Sequence, residues 1–291
     1  MDGKWRTREF QPFTLSIRGN RGEFYLIRPF FLFRPVARPR QVGRLHGFHY
    51  TVRRMKHDTI IIHEDEYLLV VNKPTGLLSA PDRYDPFAPV ASHELEEAHG
   101  RLWPVHVLDP EASGVLVFAR SEDSYRALAA AFESGQVRSV YRTVVCGRPA
   151  WKETVCELPL LTDGDRKHRT IIDGSGKPAV TEFTVLGSRG PLAIIEASLF
   201  FGRTHQVRVH LAALGFSIAC DPLYGDGEPV FLSKVKRKWK GDPLTERPLM
   251  TRTALHALAI ELPHPVNGMK ERYEAAYPKD FRALMTQLEK N

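Results

Sequence analysis

From Lys56 onward, apolar and polar positions fall into short, regular blocks. The stretch TIIIHEDEYLLVVNKP (59–74) predicts two β-strands joined by a tight acidic turn, because two aliphatic runs flank His-Glu-Asp-Glu. Pro74, Gly76 and SAPDRYDP (79–86) predict loop. VLVFAR (115–120) predicts another strand. Ser121 reads as an N-cap, with Glu122 and Asp123 favourable in the first helical turn. SYRALAAAFES (124–134) carries the helical period, and Gly135 is its stop. SVYRTVVCG (139–147) returns to strand chemistry, and AVTEFTVLG (179–187) with LAIIEASLF (192–200) predicts a strand pair separated by SRGP. HQVRVHLAALG (205–215) predicts a helix ending at Gly215. LHALAIELPHP (255–265) predicts a strand stopped by proline, and PKDFRALMTQLEK (278–290) a terminal helix. Many strands, few helices and no strict βαβ alternation predict an α+β fold with a mixed or antiparallel sheet.

Residues 1–54 break this order. They are rich in Arg, Phe and Pro, as in RPFFLFRPVARPR (28–40), and show no clean period of 2 or 3.6. They hold 12 Lys/Arg and 3 Asp/Glu, whereas the remaining 237 residues hold 29 and 31. The formal net charge of +7 therefore arises wholly in this segment, so overall basicity is no argument for a nucleic-acid partner. Three readings stay open. The segment is a basic aromatic arm for phosphates and bases, a disordered or loosely attached extension, or sequence ahead of a natural start at Met55. The domain reading is thus a 1–54 extension and a 55–291 catalytic domain.

No apolar run approaches the ~18 residues of a membrane span. The N-terminus lacks an apolar stretch followed by a small-residue cleavage site. Cys146, Cys156 and Cys220 are odd in number and unevenly spaced, which argues against a disulfide framework or a zinc cluster. A cytoplasmic location is expected.

The candidate chemistry begins at VHVLDPEASGVLVFA (105–119), where Asp109 ends an apolar run and opens a turn. Alone, Asp109 reads as a turn cap or as a reactive carboxylate on a rigid scaffold. It is accompanied by VYRTVVCG (140–147), GRTHQVRVHLAALGFSIACDPLYG (202–225) and LHALAIELPHP (255–265). In this order the set resembles the RluA-type pseudouridine synthases. NKPTGLLSAP (72–81) and GKPAVTEFTVL (176–186) extend the resemblance, which covers about residues 59 to 280. The 24-residue third segment, with Gly-Arg-Thr-His-Gln-x-Arg-x-His, is its most specific part.

The resemblance implies a bent, mostly antiparallel sheet flanked by helices. It implies conversion of selected uridines in structured rRNA or tRNA to pseudouridine, with no metal and no organic cofactor. A monomer is expected. Asp109 is implied as the catalytic acid, acting as a nucleophile or by proton abstraction and charge stabilisation at the sugar. Tyr141 would stack on the target base and help remove the C5 proton. Arg208 would pair with Asp109, since a nearby cation favours a charged carboxylate, and Arg203 is the other candidate. His205, Gln206 and His106 would shape the substrate side, with Leu211 and Ile218 as pocket walls. The target nucleotide would have to leave its stack to reach the acid. DRKHRT (165–170) and KVKRKWK (234–240), the latter with Lys236 and Trp239, are candidate RNA contacts.

Three positions depart from the family pattern. Val107 stands where Arg is usual, Ala112-Ser113-Gly114 where Thr-Ser-Gly is usual, and Cys220 where Gly is common. They bear on how the nucleotide is extruded and which RNA is bound. His106, His205, His210 and His256 have no standard ligand spacing, and structural hydrogen bonding is expected of them. A Ser113-based hydrolase lacks the GxSxG elbow. The alternative to an isomerase is a catalytically weak RNA-binding protein on the same scaffold. Retention of Asp109, Tyr141 and Arg208 favours the enzyme.

Overall fold

The computed structural model describes residues 59–82 and 87–290, together with the backbone of four short strands nearer the N-terminus. The chain divides into two units, Met1–Lys56 and His57–Asn291. In the first, β1 (Leu15–Arg18) pairs antiparallel with β2 (Phe24–Ile27), and β3 (Gln41–Leu45) with β4 (Phe48–Val52). None of these strands shows in the hydropathy pattern. The roles considered above for the N-terminal segment lie outside the described residues.

The second unit is built on a ten-stranded sheet. Its strands are β5 (Ile60–Glu64), β6 (Leu68–Lys73), β7 (Trp103–Pro104), β8 (Ser113–Ala119), β9 (Arg138–Cys146) and β10 (Glu153–Cys156). A small separate pair, β11 (Leu160–Leu161) with β12 (Ile171–Ile172), follows. The sheet is completed by β13 (Thr181–Arg189), β14 (Leu192–Leu199), β15 (Leu255–Pro263) and β16 (Lys270–Glu274). The order is β10-β13-β14-β9-β15-β8-β6-β5, with β16 added to β15 and β7 to β8. Every pairing in it is antiparallel except β15 with β8. The mixed, mostly antiparallel sheet of the sequence reading is therefore present.

All seven residues of β8 are buried, because both faces of the sheet are covered. Alternation decides which way each points. Val70, Val115 and Val117 meet Leu128 and Ala131 of helix α2 (Glu122–Glu133) on one face. Leu69, Val71, Leu116 and Phe118 meet Leu77, Leu108 and helix α1 (Ala91–His99) on the other. Helix α1 was not anticipated. Its sequence is mostly polar, and no side chain caps its start. Phe281, Leu284, Met285 and Leu288 of the terminal helix α5 (Lys279–Glu289) share a third cluster with β9, β14 and helix α3 (Gln206–Ala213). A short helix α4 (Leu232–Val235) lies between α3 and α5 in the chain.

Two local signals read from the sequence are present in the structure. The Ser121 hydroxyl accepts from Ser124 N at 3.2 Å and caps α2. Ser121→Ala should cost about 1 kcal/mol and lower Tm by about 2–4 °C in a thermal melt; an unshifted melt would mean the cap contributes nothing. The SRGP segment is tighter than expected, because β13 runs through Arg189 and only Gly190 and Pro191 separate it from β14.

One contact fixes the neighbourhood of Asp109. Gly114 has φ +125°, and a Cβ there would lie 2.1 Å from Ala257 O. Only glycine lets β8 and β15 approach so closely as they begin their parallel pairing at Ser113 and His256.

Candidate active site

Several segments remote in sequence converge at one end of the sheet. The loop before β8 supplies Asp109, β9 supplies Tyr141, and α3 supplies Arg208. All three line one cavity of about 610 Å³, with Arg203, His205 and Leu255.

Arg208 is 1 % exposed, and each edge of its guanidinium is committed. Nη1 donates to Asp109 Oδ2 at 2.9 Å. Nε and Nη2 donate to Asp221 Oδ2 and Oδ1 at 2.7 and 2.8 Å, a bidentate pair. Glu111 Oε2 lies 3.7 Å from Nη1. Burial alone would ease the proton off Arg208, but the Asp221 hydrogen bonds and the Asp109 charge outweigh it and raise the pKa. Burial opposes the charge of Asp221 too. The Arg208 guanidinium, with the Leu223 and Tyr224 amides, nevertheless holds its carboxyl below the usual range.

Asp221 was not singled out from the sequence. Its signal was an acid inside the apolar FSIACDPLYG (216–225), where a buried charge demands a partner. Asp109 differs from it. Its side chain is 18 % exposed, and among the described residues its Oδ1 receives no hydrogen bond. The arginine thus joins a sealed carboxylate to one that opens on the cavity.

Around this axis Tyr224 organises a second layer. Its hydroxyl donates to Thr170 O at 3.0 Å and accepts from Thr170 N at 3.1 Å. The hydroxyl hydrogen being spent on Thr170, the 2.9 Å contact with His205 Nδ1 requires the imidazole to donate. His205 Nε2 is then an acceptor, 3.9 Å from Asp109 Oδ1. Burial lowers the pKa of His205, which suits the neutral ring. His205 itself sits at φ 56° immediately before α3.

The loop carrying Asp109 is clamped by NKPTGLLS (72–79). Ser79 Oγ donates to Leu108 O at 3.0 Å and accepts from Leu108 N at 2.8 Å. Gly76 N donates to Pro110 O at 2.7 Å, and Thr75 Oγ1 to Glu111 O at 3.0 Å. The fully buried Lys73 ties this clamp together through Pro74 O and Leu77 O, at 3.0 and 2.8 Å. Burial pushes its ammonium down to about 7, against the pull of Asp109 and Glu111. These residues lay in a family-like segment to which the sequence reading attached no role.

The remaining predicted residues divide. Tyr141 is half-buried in the cavity wall. Burial, with the Asp109 charge, carries its phenol above the ordinary tyrosine range, so it is a neutral ring at pH 7. His106 also lines the cavity, stacked on Phe132 at 5.5 Å, with Nε2 accepting from Val117 N. Burial pushes it down to about 4. Arg203 lines the cavity without joining Asp109, so the pairing belongs to Arg208. Val107, 63 % exposed, stands at the cavity edge with no hydrogen bond to offer.

The expectations for three residues, Gln206, Leu211 and Ile218, need correction. Gln206 lines the cavity but its amide is spent internally, on Val180 O, Thr181 Oγ1 and Arg203 N. It pins α3 to β13 rather than reaching outward. Leu211 and Ile218 are sealed in the core and wall no pocket, because α3 turns that face toward β9 and β14. Lys236 and Trp239 lie away from the cavity. Val235 is anchored in the core, and Lys234 O sits against Gly190 at the start of β14. Cavity-lining Leu199 ends that strand, roughly 24 Å away at ~3.4 Å per residue. The other basic segment is docked beside the site. Thr170 binds Tyr224, and Arg169 Nη1 donates to Leu223 O, leaving Arg166 and Lys167 exposed.

All four histidines are hydrogen-bonded as expected. His210 bonds Thr181 Oγ1 and Leu158 O, and His256 bonds Ser113 Oγ and Ala275 O. Ser113 and His256 do meet at 2.9 Å, but both are buried and cannot receive a substrate.

The sheet, the cleft and the arginine-aimed acid match the class of enzyme that the motifs resemble, one acting on a base drawn into a protein cavity. Residues 67–213 match the RNA pseudouridylate synthase family model. Over 239 residues the chain is 32% identical to ribosomal large subunit pseudouridine synthase D of Zymomonas mobilis, spanning 78% of this chain and 72% of that one. It is 31% identical over 224 residues to the dual-specificity RNA pseudouridine synthase RluA of Escherichia coli K12, spanning 76% and 94%. The solved structure of human RNA pseudouridylate synthase domain containing 4 shares the fold, with TM-score 0.59, 23% identity and coverage of 79% and 92%. The chain belongs to the RluA-type RNA pseudouridine synthases: it is an isomerase, and RNA is its substrate. Among the described residues no helix is long and apolar enough to cross a membrane.

Proposed function

We propose that the enzyme isomerises selected uridines of structured ribosomal or transfer RNA in the cytoplasm, with Asp109 as the catalytic acid. The observation that carries this reading is the Arg208–Asp109 pair, 2.9 Å long and open to the cavity on the Asp109 side. Relatives named for the large ribosomal subunit and for dual specificity support the substrate class.

The reaction is an isomerisation, and its atoms balance within the nucleotide and one exchanged proton. The N1–C1′ bond breaks with help from the Asp109 carboxylate, and uracil rotates under the Tyr141 ring. C5 then bonds to C1′, the C5 proton leaves, and N1 ends protonated. His205 Nε2, as an acceptor 3.9 Å from Asp109 Oδ1, suits a ribose hydroxyl that donates to the ring and leaves the carboxylate oxygen free. The neutral Tyr141 phenol supplies a stacking face and can relay the C5 proton to solvent, its oxygen taking that proton as its own hydroxyl hydrogen is passed on.

The test is release of tritium from RNA carrying [5-³H]uridine, prepared from cells lacking the gene. Release by the wild-type protein is expected. RNA that is bound but never loses tritium, across both ribosomal and transfer RNA, would sink the proposal.

The docked turn beside the site is the better candidate for phosphate contact. Arg166→Ala with Lys167→Ala should reduce the slope of log affinity against log salt by about one to two, at ~0.7–0.9 per contact. Lys236→Ala with Lys238→Ala should change it less. The reverse pattern would transfer the RNA contact to the far loop.

A further inference from the structure

The cavity continues past the acid to an aromatic that the chemistry above does not use. Phe201, in the loop joining β14 to α3, lines the cavity and is 42 % exposed. A large apolar ring left in water at the mouth of a site is unfavourable by its hydration alone. Its position is nevertheless fixed. Gly135, just beyond α2, has φ +70°, and a Cβ there would lie 2.9 Å from Phe201 Cζ and 3.3 Å from Cε2. The ring therefore rests on the helix end by its tip, approached from one side of its plane. The opposite face takes no part in that contact, and among the described residues the ring pairs with no other ring.

Two residues along, the Arg203 side chain also lines the cavity. Among the described residues its guanidinium makes a single hydrogen bond, from Nε to Pro178 O at 3.4 Å, and no ion pair. A braced aromatic face beside an unneutralised guanidinium is the pairing that holds one nucleotide of a single strand: the base stacks, and the phosphate meets the cation.

We propose that Phe201 and Arg203 form a subsite for the nucleotide adjacent to the target uridine, with Phe201 stacking on its base. The proposal rests on the reading of the cavity as the uridine site, because a chain whose uridine enters there must lead its neighbour over the rim. Stacking accepts any base, so the subsite selects for an unpaired, splayed neighbour rather than for a sequence. The target uridine would accordingly lie in a loop or bulge.

The test uses the full-length protein and a short RNA containing its mapped target uridine, in tritium-release kinetics. Phe201→Ala should raise KM about tenfold or more, in line with the loss of one stacked base, and change kcat less than about threefold. Phe201→Tyr should restore KM. An abasic nucleotide on one side of the target should raise KM for the wild type by a similar factor, and add little to Phe201→Ala. Equal KM for wild type and Phe201→Ala would overturn the subsite. So would a KM defect in Phe201→Ala that persists undiminished on both flanking abasic RNAs, since the ring would then act only by bracing α2. If Phe201→Ala fails to fold, the wild type on the two abasic RNAs decides alone, and indifference to both refutes stacking. Wild-type release on the intact RNA is measured in the same series, so absence of chemistry is distinguished from absence of the subsite.

Discussion

Asp109→Asn should abolish turnover while leaving the protein folded. Asparagine fills the same volume, and its carbonyl oxygen still accepts from Arg208 Nη1. What disappears is the negative charge and the lone pair able to attack C1′ or take a proton at the sugar. A loss of roughly 10³–10⁴-fold or more is expected in tritium release, at or above the usual range for a positioned acid–base group. Stability should change by no more than about 1 kcal/mol, because the side chain is partly exposed and Arg208 keeps its bidentate partner. RNA affinity should stay within a few-fold of wild type. Release within tenfold of wild type would remove Asp109 from the chemistry and leave it the first residue of the 109–112 turn. Asp109→Ala is the companion variant. It withdraws one of the acceptors of a buried guanidinium, so any stability difference from Asn isolates the hydrogen bond from the charge.

How far the sequence foretold this site depends on what each residue does. The strands of the core were legible because a buried strand reads as an unbroken aliphatic run, as in LLVV (68–71) and VLVFA (115–119). Helix α2 was legible because Ser121 and Gly135 punctuate it. Helix α1 and the short strands β10 and β16 were not, since their residues are largely polar and owe their conformation to neighbours. At the site, residues that touch the cavity came through the family-like motifs. Residues that act from behind did not. Tyr224 and Lys73 show nothing in local pattern to tell a hydrogen-bonding role from an ordinary polar position, and Asp221 is marked only by its apolar surroundings, which call for a partner without naming it. Leu211 illustrates the converse error. It follows Arg208 by one helical turn, yet α3 is buried on nearly every side, so neighbourhood on the helix did not mean neighbourhood in the pocket.

Asp221→Asn should show the opposite signature to Asp109→Asn, although both acids hold the same arginine. Arg208 and Asp221 are 1 % and 0 % exposed, so neither can turn to water when its partner is lost. Breaking such a pair leaves a buried, uncompensated charge and costs about 3–5 kcal/mol. The amide also sets a donor against the donors on Nε or Nη2. Urea unfolding at pH 7 should therefore show a large fall in midpoint, where Asp109→Asn shows almost none. Turnover should fall as well, by roughly 10–100-fold, because the guanidinium that aims Asp109 is no longer fixed.

The pH dependence follows from the sign of the shift. The folded-state pKa of Asp221 lies below its ordinary value of 3.8, so the pair contributes stability above about pH 4 and loses it as pH falls through the lower, folded value. Wild type should lose stability over that acid range, and Asp221→Asn should show a flatter profile there. A double variant, Arg208→Met with Asp221→Leu, separates the two roles. Removing both charges together should recover part of the stability, limited by the Leu223 and Tyr224 amides that Asp221 also satisfied. It should recover none of the turnover, since nothing then orients Asp109. Full stability in the single Asp221→Asn variant would mean that the buried carboxylate is not the anchor of the arginine. A double variant that regains turnover would mean that Asp109 needs no arginine to aim it.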